Sequence, residues 1–189
     1  MTTKQLAILT LALSFFATGA MATPMSASLD VHANNHVWNG GSGFGGNLGL
    51  DTGIVFALGD AFSVNVDDVN DTWFYCGTGS PATCEVNADG VLSNGTSLGP
   101  YSNSGYSFTF GTLVGRVGTG DFFSIGTAGF DGTSNAAGNL FLFHWDHNTN
   151  NSGTIAATVS YGVPAPATLA LVVLGIAAAG GARRRIARS

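Results

Sequence analysis

The chain has 189 residues and a net charge of −5, from 6 basic and 11 acidic side chains. The charges are segregated. Lys4 lies near the start, Arg183, Arg184, Arg185 and Arg188 lie near the end, and every carboxylate falls between Asp30 and Asp146 with Arg116 as the one cation among them. That pattern excludes nucleic-acid binding, because phosphate contacts need clustered Lys or Arg. A cation is the more natural partner of the acidic middle.

Taken in chain order, the first segment reads as an export signal. Lys4 supplies a short positive region, residues 6–16 are apolar, and Ala20-Met21-Ala22 places small residues where a signal peptidase cuts. Residues 1–22 are therefore expected to form a signal helix, cleaved after Ala22. The competing readings are a membrane anchor and a buried helix; the run is too short to span a bilayer.

Residues 23–162 form the middle of the chain, enough for one domain with a real core. They are rich in Gly, Asn, Ser and Thr with short apolar runs between, a composition that suits strands and turns. Phe62, Val64 and Val66 alternate with Ser63 and Asn65. Tyr106, Phe108 and Phe110 alternate with Ser107 and Thr109. Ile155, Ala157, Val159 and Tyr161 alternate with small polar residues and Ala156. Each run puts apolar groups on one face. Residues 139–145 are apolar on both faces and predict a central strand. Further strands are expected over 28–33, 53–58, 72–76, 113–117 and 122–125. No stretch reads as a long amphipathic helix. About eight strands at this spacing predict an all-β jelly-roll β-sandwich.

Cys76 and Cys84 flank a turn-rich segment in the exported part. An oxidising compartment favours a disulfide. A metal pair is the competitor, with no His or third Cys nearby.

Signals for chemistry are sparse. Residues 41–46 fit G-x-G-x-x-G, but no helical period follows, so a glycine loop is the better reading. His32 and His36 are four apart around Asn34-Asn35, which makes a helix there unfavourable, so they need not share a face. His144 shares a strand face with Leu140 and Leu142 and reads as packed rather than ligating; zinc needs three or four converging ligands. The carboxylates sit mostly in turns such as Asp89-Gly90 and Asp131-Gly132, where backbone geometry explains them. No nucleophile elbow appears, and the chain is read as a non-enzyme. The informative stretch is 145–153, which joins two strands and holds Asp146 with several amide oxygens. A hard cation such as Ca²⁺ accepts carboxylate, amide and main-chain oxygens. Asn150 and Asn151 are adjacent and can both reach one ion only from a loop. A plain Asn-rich hairpin is the alternative.

The segment from Gly99-Pro100 to Tyr161 resembles the PA-I type galactophilic lectin family. The resemblance lies in Leu113-Val114-Gly115-Arg116-Val117-Gly118, Phe122-Phe123-Ser124-Ile125-Gly126, Ala137-Gly138-Asn139-Leu140-Phe141-Leu142 and Asn150-Asn151-Ser152-Gly153-Thr154; Gly59-Asp60 and Trp73 match more loosely. It implies a small jelly-roll sandwich in which a calcium ion itself holds two galactose hydroxyls. By position, Asp146, Asn150 and Asn151 would be side-chain ligands, and Thr149 and Tyr75 would offer main-chain carbonyls. Asp146 and Asn150 would also meet the sugar. The family's loop is longer; here only His147, Asn148 and Thr149 stand between the Asp and the Asn pair.

At the far end, Val163-Pro164-Ala165-Pro166 reads as a stiff spacer, because proline fixes φ and lacks an N–H. Residues 168–182 are apolar or small throughout. About fifteen to seventeen such residues are marginal for spanning roughly 30 Å of hydrocarbon. Arg183-Arg184-Arg185 follows and would stay on the cytoplasmic side. Spacer, apolar helix and Arg cluster over 163–189 resemble the PEP-CTERM sorting signal of bacteria with exosortase systems, with Ala165 where that family usually has Glu. The resemblance implies a transient membrane anchor cut near Pro164–Pro166.

The chain thus reads as an exported surface or extracellular-matrix protein. An exosortase-type enzyme would be its processing partner, and extracellular polysaccharide or a galactoside its ligand, held through calcium. The alternatives are a structural matrix protein with no small ligand, and a matrix-glycan hydrolase, which needs two facing carboxylates.

Overall fold

The computed structural model describes residues 23–38, 49–76, 84–147 and 150–163. The expected signal helix with Ala20 and Ala22 lies outside these residues. So do the 41–46 glycine loop, Thr149, Pro164, Ala165, Pro166, the apolar segment 168–182 and Arg183, Arg184 and Arg185. Among the described residues no helix is long and apolar enough to cross a membrane. Contacts set Met25–Gly162 apart as one compact unit; Met1–Pro24 with Val163–Ser189 form a second, of which only Thr23, Pro24 and Val163 are described.

The described chain is all-β. Its strands are β1 (Thr23–His32), β2 (Leu50–Phe56), β3 (Ala61–Val66), β4 (Trp73–Phe74), β5 (Glu85–Val86), β6 (Pro100–Asn103), β7 (Tyr106–Thr109), β8 (Leu113–Val117), β9 (Phe122–Ser124), β10 (Phe130–Thr133), β11 (Gly138–His144) and β12 (Ser152–Val163). One sheet runs β10-β3-β12-β4-β5 with β1 also paired to β12; a second runs β2-β11-β8-β9; β6 and β7 form a hairpin. Ser28 Oγ meets Thr158 Oγ1 at 2.9 Å, His32 Nδ1 meets Thr154 Oγ1 at 2.7 Å, and Ala33 N donates to Gly153 O. These three contacts step in opposite directions along β1 and β12, so the two strands run antiparallel.

Alternation decides which side chains are inside. Phe62 and Val64 of β3 and Ile155, Ala157 and Val159 of β12 share one buried cluster with Ile54 and Phe56 of β2, Leu113 and Val117 of β8, and Leu140 and Leu142 of β11. Full burial of each large apolar side chain contributes about 1.5–3 kcal/mol. The other face of β11 carries a second cluster. Phe143 and Trp145 pack with Val114 and Phe122, against Trp38, Tyr101, Tyr106 and Phe108. The β6–β7 hairpin supplies three of those four neighbours, and Trp145 Nε1 donates to Tyr101 O at 2.8 Å. The two-faced apolar pattern of 139–145 therefore marks an interior strand with a core on each side.

Several details differ from the sequence reading. Asp131-Gly132, expected as a turn, lies within β10, paired to Ser63 and Phe62 of β3. Asp131 is exposed there, so its charge stays in water while its backbone joins the ladder. The short strands β5, β6 and β10 carry too few apolar residues to stand out by periodicity. His32 and His36 do come together: His32 N donates to His36 Nδ1 at 2.9 Å, with the rings 5.7 Å apart across a turn. Val163, assigned to the spacer, is the last residue of β12. Cys76 and Cys84 are disulfide-bonded.

Candidate functional site

The loop between β11 and β12 starts where the second sheet lets go of the chain. Trp145 is still held at both main-chain groups, its N donating to Thr112 O and its O accepting from Gly111 N. Asp146 follows, and its carboxylate turns inward. It is fully buried. Its Oδ2 accepts from Asn151 Nδ2 at 2.6 Å, and its Oδ1 accepts from the main-chain N of His147. His147 Nδ1 lies 3.2 Å from the same Oδ1, with its own side chain half exposed.

Asn151 is buried just before β12 begins, and its Nδ2 also lies 3.3 Å from His144 Nδ1. Asn150 beside it is exposed. The remaining described residue of the expected set, Tyr75, follows the strand β4 that pairs with the start of β12. Ser152 pairs with Phe74 and Gly153 with Trp73. Tyr75 N donates to Cys84 O at 3.2 Å, and the Cys76–Cys84 disulfide closes the segment just beyond it. Asp146 and Asn151 thus meet at one corner, with the exposed Asn150 next in the chain. Thr149 lies outside the described residues.

His144 forms the floor. Its ring is completely buried and tilted against Trp73, with centroids 4.1 Å apart. Burial pushes its pKa down to about 3, offset in small part by the Ala33 main chain. The ring is therefore neutral at ordinary pH. Its Nε2 is buried without a hydrogen bond.

No family model matches the chain, and no curated protein matches it. Five chains among solved structures do match. One is described as "EclA N-terminal domain; PllA-like lectin"; it is 18% identical, covers 72% of this chain and 95% of its own, and superposes with a TM-score of 0.46.

The sequence missed the rings around the corner. Tyr75 packs edge-on to Phe110 at 5.8 Å, Phe110 lies 5.6 Å from His147, and Tyr101 lies 5.6 Å from Phe110 and 5.8 Å from His147. Tyr75, Tyr101 and Phe110 are each partly exposed, and His147 is exposed. They come from four separate segments, so no local spacing announces them.

The donor set suits a hard cation. Calcium takes about six to eight oxygens from carboxylates, amides and main-chain carbonyls; of these, the Asp146 carboxylate and the Asn151 side-chain amide are brought together here. Among the described residues no three of His, Cys, Asp and Glu cluster to hold a metal ion. The described chain also has one Arg and no Lys. Arg116 is held elsewhere, its Nε donating to Gly118 O and its guanidinium over the Trp38 and Phe122 rings.

Proposed function

We propose that the Met25–Gly162 unit is a calcium-dependent carbohydrate-binding module with a jelly-roll sandwich fold, on a chain exported to the cell surface or extracellular matrix. The observation that carries this reading is a fully buried carboxylate, Asp146, hydrogen-bonded to the Asn151 amide in the loop between β11 and β12. A carboxylate and amides on one short loop are among the oxygen ligands that a hard divalent cation takes. Asp146, Asn150 and Asn151, with main-chain oxygens of Thr149 and Tyr75, would hold calcium, which provides a centre for paired sugar hydroxyls. Asp146 and Asn150 would contact the sugar directly, and Tyr75, Tyr101, Phe110 and His147 offer rings for its apolar face. Galactose, with vicinal hydroxyls on one ring, is the test ligand.

The end signals supply the address in this reading: cleavage after Ala22, transient anchoring through 168–182, and release by an exosortase-type enzyme near Pro164–Pro166. Calorimetry on the full-length chain in detergent micelles tests the site. Galactose should give heat with millimolar calcium present and none with chelator. Equal heats in the two conditions, or none in either, would remove the reading.

A further inference from the structure

The turn that follows β1 is closed by a histidine side chain. Asn34 and Asn35 at its tip are exposed, and His36 is half-buried. Asn35 N and His36 N both donate to His32 O, at 3.2 and 3.0 Å. A bond in the other sense completes the turn: His32 N donates to His36 Nδ1 at 2.9 Å. His32 is itself held from β12, its Nδ1 lying 2.7 Å from Thr154 Oγ1. Beyond the turn, His144 N donates to His36 O at 2.7 Å and Trp38 N to His144 O at 3.0 Å, so Val37 is bridged to β11. One imidazole therefore ties the end of β1 to the segment that meets β11.

A ring nitrogen accepts an N–H only through a free lone pair. Neutral imidazole has one acceptor nitrogen; imidazolium has none, and both of its nitrogens donate. The His32 bond therefore requires a neutral His36 with its proton on Nε2. The same tautomer means that His32 and His36 do not present a pair of free lone pairs to a metal ion. In acid Nδ1 gains a proton of its own, and two donors then face each other across the turn. The His32 ring, 5.7 Å away, adds a like charge once it too is protonated. Asp30 shares the outer face of β1 with His32, yet among the described residues neither ring is ion-paired to a carboxylate. β12 carries no charged side chain, and the titratable group of β11 behind the turn, His144, is neutral at ordinary pH.

We infer that the 32–36 turn is an acid-released latch: neutral His36 shuts it through the His32 N–H, and protonation of His36 opens it and loosens the Val37 bridge to β11. The latch needs neither calcium nor a sugar. Histidine is the side chain whose ordinary titration falls between about pH 5 and 8, so mild acid reaches it. Burial first, and then the His32 charge, hold the His36 pKa below the ordinary 6.5. The closed turn is therefore complete above that value and is lost as pH falls from there through the lowered pKa.

The test uses the full-length, ¹⁵N-labelled chain in detergent micelles, taken from about pH 8 to about pH 5. At the upper end the His36 nitrogen shifts should show a protonated Nε2 and a bare Nδ1, and the His32 amide should be protected from exchange. As His36 titrates, with a midpoint below 6.5, the His32 protection factor should fall by about fivefold or more, the equivalent of one ordinary hydrogen bond. Smaller falls should follow at Trp38 and His144. A proton on Nδ1 at the upper end, or a His32 amide still protected after His36 has titrated, would overturn the inference, and neither needs a variant. Two substitutions identify the ring responsible. In His36→Asn the side-chain oxygen stands as many bonds from the backbone as Nδ1 and accepts at every pH, so His32 protection should no longer depend on pH. His32→Gln keeps the main-chain N–H and removes the like charge, so the acid loss should remain, with its midpoint moved up toward 6.5. A loss that survives in His36→Asn, or disappears in His32→Gln, would assign the switch to another group and overturn the inference.

Discussion

His144 ties the stability of the fold to pH. Its folded pKa of about 3 lies below the ordinary 6.5 because burial disfavours the charged ring. Between those values the unfolded chain takes up a proton that the native chain refuses, so stability falls as pH drops through that window and levels off below it. His36 is lowered in the same sense, first by burial and then by the charge of His32. Denaturant titrations from pH 7 to pH 4 should show this loss for wild type, amounting to a few kcal/mol in order of magnitude. His144→Leu should show a shallower loss, and parallel curves would contradict the assignment. Asp146 gives a second prediction at this scale. Asp146→Ala should abolish calcium-dependent binding, and by uncovering buried donors should also lower stability by about 1–3 kcal/mol. Calorimetry with denaturation checks both. The proximity of Asp146 and Asn151 was legible in the sequence because a carboxylate and adjacent amides share one short loop. The ring of Tyr75, Tyr101, Phe110 and His147 was not, because only the tertiary fold collects it.

Among the elements, β11 was the most readable, since Leu140 and Leu142 on one face and Phe141, Phe143 and Trp145 on the other mark a strand covered on both sides. What covers its second face was hidden: β6 is Pro-Tyr-Ser-Asn, which has no period of its own and becomes a strand by pairing with β7. The start of β11 is equally tertiary in origin. Gly138 has φ +138, and a Cβ there would stand 2.7 Å from Gly118 Cα, a backbone atom that cannot swing aside. Gly138→Ala should therefore destabilise the fold by about 1–3 kcal/mol in denaturant titrations. The disulfide acts on another pair. Tyr75 and Cys84 are joined by a main-chain hydrogen bond beside the β4–β5 ladder, and the Cys76–Cys84 bridge closes that excursion. Cys76→Ser with Cys84→Ser should cost about 2–3 kcal/mol in the chain-entropy account. It should also weaken calcium binding, because Tyr75 adjoins the bridge.

At the scale of the compact unit, geometry separates the candidate site from the points where the chain enters and leaves. Along the β1–β12 pair, Ala33 and Gly153 meet at the end nearest Asn151, whereas Met25 and Gly162 lie toward the opposite end. Ten residues of extended strand span roughly 33 Å. The all-β class was legible from alternation and turn residues, and the division of the core into two clusters was not. Proposed processing at the two ends is checked by the intact mass of surface-released protein, expected to match Thr23 to about Pro164. Retention of Arg183 to Ser189 in that material would contradict it. The central claim, that Asp146 and its neighbours hold calcium, is tested most directly by a calcium titration followed through backbone amide shifts. Millimolar calcium should move Tyr75 and Asp146 through Asn151 together, along a single saturating curve. Shifts confined to exposed carboxylates such as Asp67 and Asp68, or none at all, would contradict it.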